Sequence, residues 1–383
     1  MPSAVLPETP RHIPPPPTKE NLDYADLAII DLDKYKTAEG RAELVLDVRN
    51  AMSTVGFFYV VNHGYTQEQA RSHPIYTHFH RITRLTEVPQ TRRIFNIAEI
   101  PSRASDDEKM KYVARIKEDG SYHGYKLRQY WHINAGVRDQ IEHYSVNLDV
   151  TMKEHPEALR PFLPEISDFA QHNQINVLFP LLRLLALGLE LPEDTFVKQH
   201  RIDSSKEMVC FMKYYPRSIE DEEKTNNVWL KGHTDFSTLT LLWSQPIAGL
   251  QIQSPDGKWR WVKHIDNALV VNAGETLEFL SGCFYKGTIH RVVEPPADQR
   301  GLTRMGVIFF ATPHDDVKLV PLAHSPVLQR VGIVRRCDDD VAPTMGEWRR
   351  ARTKAYGQTS LTQGKEEGLE EELINGVVYR HYN

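Results

Sequence analysis

The chain has 383 residues, 40% of them apolar and 25% charged, with a formal net charge of −5; this is enough apolar material for a sizeable core and leaves no basic surplus for a nucleic acid. Its three cysteines, Cys210, Cys283 and Cys337, lack Cys-x-x-Cys spacing, which indicates neither a disulfide framework nor a thiolate zinc site and suits a reducing, cytoplasmic setting. With no charged-then-apolar leader and no run of about 18 apolar residues, neither a signal peptide nor a membrane span is expected, and a small molecule is the expected partner.

In chain order, Pro7, Pro10 and Pro14 to Pro17 come first. They lack backbone donors and favour an extended polyproline conformation, so residues 1–20 are expected to form a disordered arm. Residues 21–383 are expected to form a single domain, with a mixed α/β region over 21–205, a β core over 206–320 and a helical region over 321–383. Leu27 to Leu32 reads as a first strand. Leu44, Val48, Ala51, Met52 and Val55 recur at helical intervals and give an amphipathic helix that ends at Gly56, followed directly by a strand over Phe57 to Val61. Thr66 with Gln69 offers a capping box, and the charged stretch from Ser102 to Glu118 reads either as a lid or as a solvent-exposed elaboration. Ile166 through Leu189 gives a long apolar-rich helix that Pro180 should kink or break.

From Met208 the pattern changes to short β-rich runs: Met208 to Tyr215, Leu239 to Trp243, Leu250 to Gln253, Trp259 to Val262, Ala268 to Val271 and Arg304 to Phe310, with turns such as Pro255-Asp256-Gly257 between them. The expected fold is therefore mainly β with bracing α-helices, around a double-stranded β-helix, or jelly roll. Glu366, Glu367 and Glu370 to Glu372 read as a solvated helix, after which Val377, Val378 and Tyr379 could pack back on the body or on another subunit.

The chemistry concentrates in His233-Thr234-Asp235 and in His290. Residues i and i+2 of a strand point to one face, so His233 and Asp235 can bind one metal together while a second strand supplies His290. Two imidazoles and one carboxylate leave a face of the coordination sphere open, as in non-haem iron(II) oxygenase sites. Among the bland alternatives, His63 reads as structural, and His264, Asp266 and Glu275 read as solvated strand-end residues.

The surroundings of these residues carry a family resemblance. Lys213-Tyr214-Tyr215-Pro216, Gly232-His233-Thr234-Asp235, Gly249-Leu250-Gln251-Ile252, Tyr285 through Val292 and Arg304 through Phe310 follow in an order that resembles the 2-oxoglutarate-dependent dioxygenases of the isopenicillin N synthase-like class, as does Phe57 through Gly64 near the start. The resemblance covers about residues 27 to 355. It implies Fe(II) on His233, Asp235 and His290, with 2-oxoglutarate as cosubstrate and dioxygen as oxidant; Arg304 and Tyr215 would hold the far carboxylate of the cosubstrate. Arg300 competes with Arg304 for that role by its spacing from His290. The family's Arg-x-Ser is Arg304-Met305-Gly306 here, and its asparagine before the tyrosine pair is Lys213.

The resemblance further implies an iron(IV)-oxo species that takes hydrogen from a small metabolite of specialised (secondary) metabolism, with hydroxylation, desaturation or ring formation as outcomes. No catalytic residue beyond the metal site is expected. Tyr122, Tyr125 and Phe309 are candidate substrate-pocket residues, with Phe211 and Trp243 as alternative wall residues. Two other readings stay open: an iron oxidase that uses dioxygen without 2-oxoglutarate, which Gly306 and Lys213 favour, and a non-enzymatic binding protein on the same fold. Oligomeric state is not addressed by composition.

Overall fold

The computed structural model describes residues 7–65, 90–200 and 206–356, together with strands 362–363, 369–374 and 377–382. In chain order the strands are β1 (Ile29–Asp31), β2 (Phe57–Val61), β3 (Gly124–Lys126), β4 (His132–Asn134), β5 (Val137–Arg138), β6 (Ile141–Asn147), β7 (Met208–Tyr214), β8 (Val228–His233) and β9 (Leu239–Trp243). They continue with β10 (Leu250–Gln253), β11 (Trp259–Trp261), β12 (Leu269–Ala273), β13 (His290–Val293), β14 (Arg304–Ala311), β15 (Thr362–Gln363), β16 (Leu369–Ile374) and β17 (Val377–Tyr382).

Two sheets result. The eight-stranded sheet runs β1-β2-β12-β9-β14-β7-β6-β3 and the seven-stranded sheet β11-β10-β13-β8-β17-β16-β15. The sheets face one another: Cys210, Met212, Tyr214 and Ile308 of the larger sheet cluster with Leu230 and Val292 of the smaller, and Phe57, Tyr59 and Val270 with Leu250 and Ile252. This is the two-sheet packing of a double-stranded β-helix. The larger sheet takes strands from both sides of residue 206, because β1, β2, β3 and β6 pair into it beside β7, β9, β12 and β14.

The opposite face of the larger sheet packs on helices. Val209, Phe211, Leu241, Trp243, Val307 and Phe309 point there, into one cluster with Leu44, Val48 and Met52 of the helix Ala38–Thr54 and with Leu181, Leu184 and Leu185 of the helix Phe179–Gly188. Burying one such phenylalanine contributes about 1.5–3 kcal/mol, which fixes which face of each strand turns inward.

The helix Ala38–Thr54 starts where the Thr37 hydroxyl accepts from Gly40 N at 3.0 Å, and it stops at Gly56, which has φ +72 and whose Cβ would meet Lys286 O at 2.2 Å. The expected long helix is three segments: Leu163–His172, a π-helical stretch Asn173–Leu178, and Phe179–Gly188, with Pro180 in the first turn of the last. A proline there has no N–H to give and tolerates a fresh helix start, so the ladder widens before it rather than breaking.

Three expectations change. Residues 7–20 have no helix or strand yet are not a free arm. Arg93 donates to Pro7 O and Thr9 Oγ1, the His12 ring stacks on Phe95 and its Nδ1 lies 3.0 Å from Glu99 Oε1, and Asp298 accepts from Thr18 Oγ1 and Lys19 N. The extended conformation of a proline-rich segment leaves its carbonyls without internal partners, so Pro7 O can accept from Arg93 and Pro16 O from Gln299 Nε2. The second change is at the carboxy-terminal end: Glu370 to Glu372 lie in β16, whose register with β17 runs from Leu369↔Tyr382 to Ile374↔Val377, rather than in a helix. The sequence between those strands is Asn375-Gly376, a strong hairpin signal. The third is Lys213, which faces the helices, where its Nζ pairs with Glu99 at 2.7 Å. Thr66, Gln69, Glu366 and Glu367 lie outside the described residues.

Glu99 thus joins the amino-terminal segment to β7. Burial alone would raise its carboxyl, but hydrogen bonds from His12 and Lys213 outweigh burial and hold it at about 2, against an ordinary 4.5. A carboxyl depressed on folding stabilises the protein above its unfolded value and loses that contribution as pH falls through the folded one. Glu99→Gln should therefore destabilise the protein by about 1–3 kcal/mol at neutral pH and speed limited proteolysis within residues 7–20, and the wild type should lose the same increment between about pH 4.5 and pH 2. Equal proteolysis rates in the two proteins would contradict this role.

Candidate metal centre and substrate cleft

His233 ends β8 and His290 begins β13, and the register makes them direct cross-strand partners. Their rings stand 4.4 Å apart between centroids. Asp235 follows β8 by two residues; its Oδ1 lies 3.8 Å from His233 Nε2 and its Oδ2 3.7 Å from His290 Nε2. One donor atom from each residue falls within 4.8 Å of the others, the only such His/Cys/Asp/Glu group among the described residues.

Both imidazoles are oriented alike. His233 Nδ1 lies 2.8 Å from Lys231 O and His290 Nδ1 3.2 Å from Thr288 O, so each ring gives its Nδ1–H to a backbone carbonyl two residues back and keeps an Nε2 lone pair toward the centre. Burial pushes the His233 pKa down, the neighbouring His290 adds to it, and the ring is held neutral as a metal ligand requires. Asp235 Oδ2 accepts from Thr240 Oγ1 at 2.7 Å and from Asn272 Nδ2 at 3.0 Å. Burial opposes ionisation of Asp235, but both histidines and these two donors outweigh it and lower its pKa. Thr240 and Asn272 were not anticipated; as polar residues within the otherwise apolar strands β9 and β12, they were the available signal.

The loop carrying Asp235 is tied to the carboxy-terminal helix Met345–Ala355 through Glu275, which is fully buried rather than solvated. Glu275 accepts from Thr234 Oγ1 at 2.6 Å, from Trp348 Nε1 at 2.7 Å and from Arg352 Nε at 3.1 Å. Trp348, Arg352 and Tyr356 recur every four residues and so form one stripe. His264, also expected to be solvated, is tucked between Ser244 Oγ and Asp266, while Asp266 itself is exposed. His63 is buried and structural, with Nε2 2.9 Å from Asn267 O.

Arg304 starts β14 on the face between the sheets. It is 5% exposed, its Nε donates to Ile247 O at 3.3 Å, and its guanidinium stands 5.3 Å from the Tyr214 ring. Burial lowers its pKa, only Tyr214 opposes that, and no described carboxylate compensates its charge. A buried cation without an ion-pair partner is costly unless an anion completes it. Arg300, by contrast, is 61% exposed in side chain and pairs with Glu294 at 3.2 Å.

The tyrosine beside Arg304 is Tyr214, its register partner across β14 and β7. Tyr215 lies on the opposite face with Arg128 over its ring at 4.9 Å, so the tyrosine that shares the inter-sheet face with Arg304 is Tyr214 and not the expected Tyr215. Alternation decides it: consecutive strand residues cannot share a face.

The same rule sorts the expected substrate residues. A cleft of about 670 Å³ opens beside His233 and Asp235, and Tyr122 lines it. Tyr125, Phe211, Trp243 and Phe309 do not; all four are buried in the helix-side cluster, with Tyr125 Oη donating to Pro101 O and Trp243 Nε1 to Asn173 Oδ1. Phe310 replaces Phe309 on the cleft, joined by Trp131, His143, Met212, Arg352 and Tyr356. The Ser102 to Glu118 stretch contributes no lining residue.

Residues 206–313 match the family model of the 2OG-Fe(II) oxygenase superfamily, and residues 27–79 match that of the amino-terminal region described as non-haem dioxygenase in morphine synthesis. A 2-oxoglutarate-dependent dioxygenase of Gibberella zeae is 38% identical over 141 residues, 36% of this chain and 41% of the relative. Gibberellin 2-beta-dioxygenase 2 of Arabidopsis thaliana is 28% identical over 276 residues, covering 71% of this chain and 72% of the relative. In fold, the chain is similar to a full-length Neurospora crassa protein solved in complex with alpha-KG, with TM-score 0.68 and 20% identity over 86% of this chain and 96% of that one. The family that these models describe consists of oxidoreductases that use Fe(II), 2-oxoglutarate and dioxygen, and it is the one this chain is similar to over both matched segments: the 2-oxoglutarate- and Fe(II)-dependent oxygenase superfamily.

Proposed function

We propose that this chain oxidises a carbon centre of a small, specialised metabolite in the cytoplasm, with His233, Asp235 and His290 holding Fe(II) and Arg304 with Tyr214 holding the far carboxylate of 2-oxoglutarate, and with residues 21–383 working as one unit. The observation that carries this reading is the conjunction of two features: a buried guanidinium with no described carboxylate to pair with, and a donor set of two imidazoles and one carboxylate between the same two sheets. When bound, iron with 2-oxoglutarate supplies activation of dioxygen coupled to decarboxylation of the keto acid to succinate.

The protein's share is placement. Lys231 O and Thr288 O hold the two imidazoles in the tautomer that presents Nε2, and Thr240 with Asn272 leaves Asp235 Oδ1 free of their hydrogen bonds. Arg304 donates a charge-assisted fork to a carboxylate from a site dry enough to strengthen it. Apolar walls exclude water from the reacting carbon. Hydroxylation is the default outcome, with desaturation or ring formation open to the same substrate. Small ligands of relatives agree in kind: one structure of the Neurospora crassa protein was solved with thymine.

The reading without 2-oxoglutarate keeps only Gly306 in its favour, since Lys213 is engaged with Glu99 on the far face. A Cβ at Gly306 would meet Met212 O at 3.7 Å, ordinary contact, so the position has room for the family's serine.

Succinate release from 2-oxoglutarate in air, with iron supplied, tests the reading. Arg304→Ala should raise KM for 2-oxoglutarate by about ten- to a hundred-fold. Tyr214→Phe should raise it more than Tyr215→Phe does; the reverse order would sink the assignment of faces. Gly306→Ser should fold normally and lower that KM by about two- to ten-fold, the worth of one restored hydrogen bond. An unchanged or raised KM would show that the missing hydroxyl is not part of the cosubstrate site.

A further inference from the structure

The cleft beside the candidate metal centre has a floor of register pairs on three strands: His143 with Met212 and Ser145 with Cys210 across β6 and β7, and Met208 with Phe310 across β7 and β14. Its surface is mainly apolar, with Met208, Met212, Cys210 and several aromatic rings, and the hydroxyls of Ser145, Thr234, Ser237 and Thr353 interrupt it. Charge is scarce there. The Arg352 cation is matched by Glu275, burial and the nearby Lys126 cation hold His143 neutral, and the remaining carboxylate, Asp235, belongs to the metal group. Burial likewise pushes the Cys210 thiol up to about 12, which keeps it a neutral wall.

Among the polar atoms of this wall, two buried donors stand out. The Trp131 indole N–H and the Tyr122 hydroxyl are buried beside the cleft and neighbour one another without a hydrogen bond of normal geometry, and neither has another partner. Buried donors left open are rare and call for an explanation. Trp131 is 5% exposed and is clamped rather than loose: Asp139 accepts from its backbone N at 2.6 Å and from Lys126 Nζ, and that ammonium sits 3.8 Å from the indole centroid. A donor fixed this firmly is pre-organised for a ligand atom. The indole N–H can only donate, so its complement is an acceptor.

We propose that the cleft binds a neutral, largely apolar ring molecule and that Trp131 with Tyr122 reads an acceptor oxygen on it, of the ketone, lactone or ether kind, rather than a carboxylate or an amine. The inference rests on the oxygenase reading of this site and adds the substrate class to it. An acid would need a cation that the described lining residues do not spare, and an amine would need a second carboxylate.

The test uses the full chain loaded anaerobically with Fe(II) and 2-oxoglutarate, so that binding is read without turnover. Equilibrium dialysis compares 2-acetylnaphthalene, naphthalene and 2-naphthoate, with retained 2-oxoglutarate counted in the same cells. The ketone should bind about five-fold tighter than naphthalene, one hydrogen bond's worth, and the carboxylate should bind worst. Trp131→Phe and Tyr122→Phe, which keep the rings, should each erase most of the ketone-to-naphthalene ratio. The proposal is overturned if 2-naphthoate binds as well as the ketone, if the ratio survives in both variants, or if no probe binds up to its solubility limit. Failure to retain 2-oxoglutarate would instead overturn the cosubstrate assignment, whatever the probes do.

Discussion

Alternation of side chains across the eight-stranded sheet is the constraint on which the rest of the molecule depends. One face must satisfy the helices Ala38–Thr54 and Phe179–Gly188, and it does so with a continuous layer that includes Phe211, Trp243 and Phe309. Once those residues are committed outward, their immediate neighbours Met212, Leu242 and Phe310 have to turn toward the second sheet. Packing on the helices therefore decides which residues meet a ligand. Arg304 reaches the inter-sheet space because Met305 is buried on the helix side, and Tyr214 accompanies it because β7 and β14 pair in that register.

On this frame the candidate centre adds few local devices. The cross-strand pairing of His233 with His290 brings two imidazoles together without any loop having to be ordered for the purpose. Asp235 lies just past the strand end and needs support, which comes from Thr240, Asn272 and the close passage of Gly274, where a Cβ would stand 2.0 Å from Ser237 O. Glu275 then couples this loop to Trp348 and Arg352. A buried carboxylate so fully engaged contributes little net stability but fixes one arrangement, because removing any partner leaves a buried charge unmatched. The carboxy-terminal helix is thereby made part of the cleft wall.

Much of this was legible in the sequence. The limits of β2, β9 and β10, the β-rich second half and the His-x-Asp with its distant histidine are written in local periodicity and spacing. The buried, inter-sheet placement of Arg304, against an exposed Arg300, follows from the strand pattern around it. Phe211, Trp243 and Phe309 rest on residue type and Tyr215 on the family resemblance, whereas strand parity sorts all four: the face taken by Arg304 alone puts Phe309 on the other one. Arg352 and Tyr356 left no local trace, since they meet the cleft only through the packing of a helix more than a hundred residues after Asp235. The Asn375-Gly376 pair was legible and outweighed by the acidic run beside it.

The central claim is that a keto acid bridges the His233, Asp235 and His290 centre and Arg304. Anaerobic optical titration with Fe(II) and then 2-oxoglutarate tests it most directly, through the weak visible charge-transfer band of a keto acid chelated to iron. The account predicts a band that requires both components, is abolished in Asp235→Ala, and in Arg304→Ala appears only at much higher 2-oxoglutarate. Iron binding without a band at saturating 2-oxoglutarate in the wild type would contradict it.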